Sequence, residues 1–128
     1  MTPAPQFGLS TIGQIAVTVK DIGRAVEFYR DQLGMRFLFQ APGMAFFDCG
    51  GVRLLLGLPE ANQETFRSII YFKVEDIQAA TDTLKSRGVV FERDPHLVAR
   101  MPDHDLWLAV FRDPDQNPLE LMCEVKRA

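Results

Sequence analysis

Two stretches 55 positions apart share one plan. Gln14-Ile15-Ala16-Val17-Thr18-Val19-Lys20-Asp21 and Ile69-Ile70-Tyr71-Phe72-Lys73-Val74-Glu75-Asp76 both alternate as a strand with one buried face does, and both end on an Asp placed to cap a helix. Behind the first cap, Ile22, Ala25, Val26, Tyr29 and Leu33 recur at helical spacing, with Gly34 just past the last of them. Behind the second, Ile77, Ala80, Thr81 and Leu84 do the same, and Gly88 stops the run one residue sooner than its counterpart. An amphipathic helix must lay its apolar stripe on something, and the strand before it supplies alternate apolar side chains. The duplication therefore predicts Ile15, Val17, Val19, Ile70, Phe72 and Val74 beneath helices, with Gln14 and Ile69 on the opposite face.

Three short apolar segments follow each helix. In the first half they are 35–40, 44–48 and 52–57, split by Pro42-Gly43 and Gly50-Gly51. The second half has them at about 89–93, 106–112 and 118–124, and its closing turn and strand, 113–121, matches 48–56 at an offset of 65. The ten additional residues fall around 94–105. Strand, helix and meander, repeated, give two βαβββ modules. Two copies are too few for a solenoid, which needs about three. We expect an α+β domain of two tandem βαβββ modules forming a curled mixed sheet with a cleft. Its parts are an N-terminal tail at 1–11, a first module at 12–58, a polar linker at 59–67 and a second module at 68–125.

The length of 128 residues, 47% of them hydrophobic and 24% charged, suffices for a real core. A net charge of −3 with Lys and Arg scattered lacks the basic patch of a nucleic-acid binder. No apolar run reaches the roughly 18 residues of a membrane span, and the first residues carry neither a basic nor an apolar signal region. A cytoplasmic protein is expected, whose partners are a small-molecule ligand and a second copy of itself, not nucleic acid or membrane. The homodimer follows from strands that are apolar on both faces, more than helices on one side can cover. Cys49 and Cys123, without CxxC spacing, read as small buried hydrophobes. There is no Ser-His-Asp order, Gly-rich phosphate loop or HExxH helix.

Taken together, Phe28-Tyr29 and Leu33-Gly34, the second strand-Asp-helix copy, and the closing Asp113-Pro114-Asp115 with Leu119-Glu120-Leu121 resemble the vicinal oxygen chelate superfamily. That group contains glyoxalase I, extradiol dioxygenases, fosfomycin resistance enzymes and bleomycin-resistance proteins. The resemblance spans about residues 12–125. It implies paired modules curled around a cleft, often completed by a second chain of a homodimer. In the enzymes it implies four inward side chains, on the first and last strand of each module, around a divalent metal. Those positions are Gln14, Leu55, Ile69 and Glu120 in this chain. Leu55 and Ile69 have no lone pair, whereas such an ion takes about six donors, so neither metal nor other cofactor is expected.

Glu120, between Leu119 and Leu121, points to the face away from both leucines and is the candidate catalytic acid or base. Arg53 shares the parity of Leu55, and Tyr71 shares that of Ile69. His96, Arg100 and His104 fall in the additional stretch, read either as surface loop residues or as a loop over the cleft that touches ligand. Phe37, Phe39, Phe46, Phe47 and Phe111 read first as core. The expected ligand-binding set is Gln14, Arg53, Leu55, Ile69, Tyr71, His96, Arg100, His104 and Glu120, lining a largely apolar cleft for a small aromatic molecule. The alternatives are a metal-dependent lyase, isomerase or dioxygenase with displaced ligands, and a dimeric interaction module without a small ligand.

Overall fold

The computed structural model describes residues 10, 12–59 and 68–127. The first module runs β1 (Gln14–Thr18), α1 (Ile22–Val26) continued by a π-helical segment (Glu27–Gln32), β2 (Arg36–Ala41), β3 (Met44–Cys49) and β4 (Val52–Gly57). The second runs β5 (Ile70–Lys73), α2 (Ile77–Ser86), β6 (Phe91–Arg100), β7 (His104–Arg112) and β8 (Pro118–Lys126). Each module is a four-stranded mixed sheet, ordered β1-β4-β3-β2 and β5-β8-β7-β6. These are the two tandem βαβββ units that the duplication predicts. The expected tail and linker lie, but for Ser10 and Pro59, outside the described residues.

The repeat is reproduced in detail. Asp21 and Asp76 cap their helices from extended backbone (φ −138, ψ 109 and φ −130, ψ 99), each side chain accepting at 3.0 Å from the N–H three residues on. The parallel pairs are equivalent too, Ile15 facing Leu54 and Ile70 facing Leu119. Val19 is fully buried, Ile15, Val17, Ile70, Phe72 and Val74 pack against the same core, and Gln14 and Ile69 are exposed, in agreement with the strand parity.

Three local features depart from the sequence reading. The first is the single residue by which 21–34 exceeds 76–88, which α1 absorbs by widening. Leu33 N–H reaches Phe28 O, an i to i−5 bond, and the adjacent Phe28 and Tyr29 are both buried with rings edge to face at 5.4 Å. Beyond the widened turn, Gly34 and Gly88 close their helices in the left-handed region at φ 71 and 89.

The second concerns residues 94–105, which form strand up to Arg100 and again from His104, with only 101–103 as the turn between. They lengthen β6 and β7, and register shifts at Phe91/Arg93, Arg93/His96 and Leu97/Ala99 take up a parity that does not alternate. Pro95, lacking an N–H to donate, sits within one of these irregularities. Arg127 ties the hairpin tip to the end of β8 through the carbonyls of Met101, Pro102 and His104 and the Asp105 carboxylate.

The third is the turn match at offset 65, which holds for β8 on β4 but not for β7 on β3. Arg112 pairs with Pro118 where Asp48 pairs with Arg53, so β7 follows β3 at an offset of 64 and its turn is one residue longer. Asp113 is thereby the structural counterpart of Cys49.

The modules meet through their helix-bearing faces. Tyr29 Oη donates to Asp113 Oδ2 at 2.9 Å, Arg24 pairs with Asp115 at 2.9 Å, and Asn117 Nδ2 donates to Thr18 O at 2.9 Å. Gln32 Nε2 donates to Arg87 O at 3.0 Å and Arg87 Nη1 to Gln32 O at 3.3 Å. Since those two residues are 55 apart, their reciprocal bonds mark a local two-fold relation between the modules. The inner face of each sheet is thus spent on a shared core, and the other face of each is left outside it.

Thr81 on α2 is fully buried and its hydroxyl has no hydrogen-bond partner among the described residues. A buried hydroxyl without a partner costs about 1–3 kcal/mol of desolvation. Thr81→Val should therefore raise the unfolding free energy by roughly 1 kcal/mol, read as a higher urea midpoint at unchanged slope.

Candidate functional site on the open sheet faces

On the second sheet, strand pairing sets Tyr71, Glu120, Val110 and Arg93 in one row across the open face, with Lys73, Met122, Leu108 and His96 in the next. Glu120 is at the centre and only 9% exposed, while Tyr71 at the sheet edge is 48% exposed. The Glu120 charge raises the Tyr71 phenol above its ordinary value, with desolvation and hydrogen bonding to Glu120 adding to the shift. A carboxylate and a phenol side by side make a proton-sharing pair able to grip a polar group of a ligand.

Further along the same face, His104 lies 2.7 Å from Asp103 and 3.6 Å from Glu124, whose other oxygen is 3.8 Å from Lys73. Its hydrogen bond with His104, and after that the His104 charge, hold the Asp103 carboxyl below the usual range. His96 lies in strand β6 opposite Leu108, its Nδ1 2.9 Å from Asp94 O. Arg100 pairs with Asp105, one position out of phase with that face, so the structure does not bring it to Glu120. The three residues belong to the sheet itself, which corrects the reading of a loop lying over a cleft.

The open face of the first sheet carries Gln14, Arg53, Asp48 and Arg36 in one row and Ala16, Leu55, Phe46 and Phe39 in the next. Phe39 and Phe46 stack at 4.5 Å with 23° between planes, and the Arg53 guanidinium lies 5.8 Å from the Phe46 centroid. Of the five phenylalanines read as core, Phe37, Phe47 and Phe111 face the helices, whereas Phe39 and Phe46 do not: Phe46 alternates with its buried neighbour Phe47, and the register shift between Phe37 and Phe39 turns Phe39 to the same side. Within one chain Gln14, Arg53 and Leu55 belong to one sheet, Tyr71 and Glu120 to the other, and Ile69 stands just before β5 of the latter. The sequence reading missed Val110, Leu108 and Met122, which alternation along 104–112 and 118–124 places on the face of Glu120. Arg93 was out of reach because a register shift precedes it.

A family model for the Glyoxalase/Bleomycin resistance protein/Dioxygenase superfamily matches residues 11–121. The chain belongs to that superfamily. It is 32% identical over 126 residues to an uncharacterized protein, YraH, of Bacillus subtilis, covering 84% of this chain and 94% of that one. To metallothiol transferase FosB of Staphylococcus haemolyticus it is 32% identical over 69 residues, about half of either chain (51% and 50%). The structure of lactoylglutathione lyase from Agrobacterium tumefaciens superposes with a TM-score of 0.72 at 26% identity, covering 88% of this chain and 92% of that one.

Members of the superfamily often use a divalent metal. Of the four positions that would hold it here, Gln14 and Glu120 offer oxygen, while Leu55 and Ile69 offer none. Among the described residues no three His, Cys, Asp or Glu side chains come together as a ligand group. The donor set does not fit a metal of this type. No helix among the described residues is long and apolar enough to cross a membrane.

Proposed function

We propose that the protein binds a small planar, aromatic molecule in a cleft formed when the open sheet faces of two copies come together. The reading is carried by Glu120. A carboxylate 9% exposed at the centre of an otherwise open face is placed to orient a bound polar group. The second copy is supported by what surrounds it, since Phe39, Ile69 and Tyr71 are each about half exposed (50%, 45% and 48%). With the helix-bearing faces already in contact inside the chain, the cleft takes Glu120 and Tyr71 from one copy and Gln14, Arg53, Leu55 and the Phe39–Phe46 stack from the other. Stacking holds the ring of the ligand, and Glu120 with Tyr71 sets its orientation. Should the cleft be catalytic, Glu120 is the acid or base.

Light scattering at micromolar concentration should give twice the chain mass; a monomer mass alone would remove the shared cleft. A thermal-shift screen of planar aromatic compounds should raise the melting temperature of this dimer. Stoichiometric metal in protein purified without chelator would instead favour the metal-dependent alternative.

A further inference from the structure

The local two-fold relation produces two hollows where a module's helix end faces the other module's turn, and they differ; the second reaches the end of the first sheet's open face, where Arg36 and Asp48 lie. At the first, of about 380 Å³, Phe28 and Gln32 face the turn of Asp113, Pro114 and Gln116. The second, of about 470 Å³, has Thr83 and Arg87 facing Asp48, Cys49 and Gly50. Its floor is Phe72, Val74, Leu84, Phe111 and Leu121. The equivalents of that floor in the first module, Val17, Val19 and Leu56, line no part of the first hollow. The reason is in the sequence: Phe28 and Tyr29 plug the first junction, whereas the residues 55 further on are Thr83 and Leu84. Where Tyr29 Oη meets Asp113, Leu84 meets no polar partner, because the counterpart of Asp113 is Cys49. Burial, aided by the Asp48 charge, raises the Cys49 thiol, which leaves it a neutral wall atom.

The second hollow also carries a charge signature. Arg36 and Arg87 line it, and neither has an ion-pair partner among the described residues; Arg87 donates to the carbonyl of Gln32. Asp48 is the one carboxylate in the lining, and its Oδ1 accepts from Gly51 N at 3.2 Å. Two guanidiniums against one carboxylate leave an excess of positive charge at the mouth of an apolar cavity of ligand size. We infer that this hollow is a second binding site, for a small amphipathic monoanion whose ring or branched apolar body rests on the partly exposed Phe72 and Val74 and whose carboxylate meets Arg36 and Arg87.

The test uses 2-naphthoate as probe, with calorimetry for affinity and side-chain methyl NMR for location. Saturable binding should shift the methyls of Val74, Leu84 and Leu121 and spare those of Leu108 and Met122 on the open face. The Arg36→Gln/Arg87→Gln double variant should bind about tenfold more weakly, and neutral 2-naphthamide should bind the wild type more weakly by a similar factor. Ala80→Leu, which narrows the cavity, should abolish binding. If that variant does not fold, Thr83→Trp at the exposed rim replaces it. The inference is overturned if the full chain shows no saturable binding, if the shifted methyls are those of the open face, or if naphthoate affinity is untouched by both the arginine and the cavity-narrowing variants. Location by NMR keeps this outcome separate from success or failure of the dimer cleft.

Discussion

Asp113→Ala should cost the protein about 3–5 kcal/mol, measured as the loss of unfolding free energy in urea. Asp113 is 2% exposed and its carboxylate is the hub between the modules. Oδ1 accepts from the backbone of Asp115 and of Asn117 at 2.9 Å each, and Oδ2 from Tyr29 Oη at 2.9 Å and Asn117 Nδ2 at 2.8 Å. Removing it strands four donors, each worth about 1–3 kcal/mol when left unpaired, although turn relaxation and entering water recover part of the sum. Asp31→Ala, at an exposed ion pair with Arg30, should leave the urea midpoint essentially unchanged. Equal effects from the two would mean that the network does not hold the modules together.

The same network sets an alkaline limit. Burial, then the charge and hydrogen bond of Asp113, then the charge of Asp115, raise the Tyr29 phenol far above its ordinary value. In the unfolded chain it ionises near 10. Below that pH both states keep the proton and the contribution is fully present; above it the unfolded chain binds fewer protons, so stability falls as pH rises, by about 1.4 kcal/mol per unit. Tyr29→Phe should remove that part of the slope between pH 8 and pH 11, which urea midpoints at several pH values would read; an unchanged slope would place the alkaline loss elsewhere.

Glu120→Gln should leave the fold within about 1 kcal/mol of the wild type, since one polar group replaces another of the same shape. Any cleft ligand hydrogen-bonded to the carboxylate should bind about 1–3 kcal/mol more weakly, roughly 5- to 150-fold. The proposal makes that loss larger than the loss from Leu55→Ala, which removes only contact area. The Tyr71 phenol should at the same time titrate closer to its ordinary value once the neighbouring charge is gone, which ultraviolet titration of Tyr29→Phe protein isolates. If ligands bind the variant as they bind the wild type while Tyr71 does move, the Glu120–Tyr71 pair exists but is not where the ligand sits.

What the sequence determined by itself is everything whose cause is local. Asp21 and Asp76 cap helices because a short carboxylate bonds the third N–H ahead wherever the backbone is extended before it, and the structure holds the two caps within about 10° of each other. Ile15 and Ile70 go under helices while Gln14 and Ile69 face out, because strand parity admits no other arrangement once one face is buried. From the same parity came the placement of Glu120 opposite its flanking leucines. The tertiary structure decided what depends on partners far along the chain. Residues 94–100 became strand because pairing with β7 and the Arg127 clasp on the hairpin tip satisfy a backbone whose apolar pattern, interrupted by Pro95, shows no clean alternation. Phe39 left the core because a register shift after Phe37 breaks the alternation that would have kept the two on one face, and no period in 36–41 announces it. Which layers meet was decided across 84 residues by the bond between Tyr29 and Asp113. Neither residue alone forecasts it: a phenol and a carboxylate are ordinary surface groups until the fold buries both, and the buried phenol then needs the carboxylate that the turn's own N–H groups already hold in place.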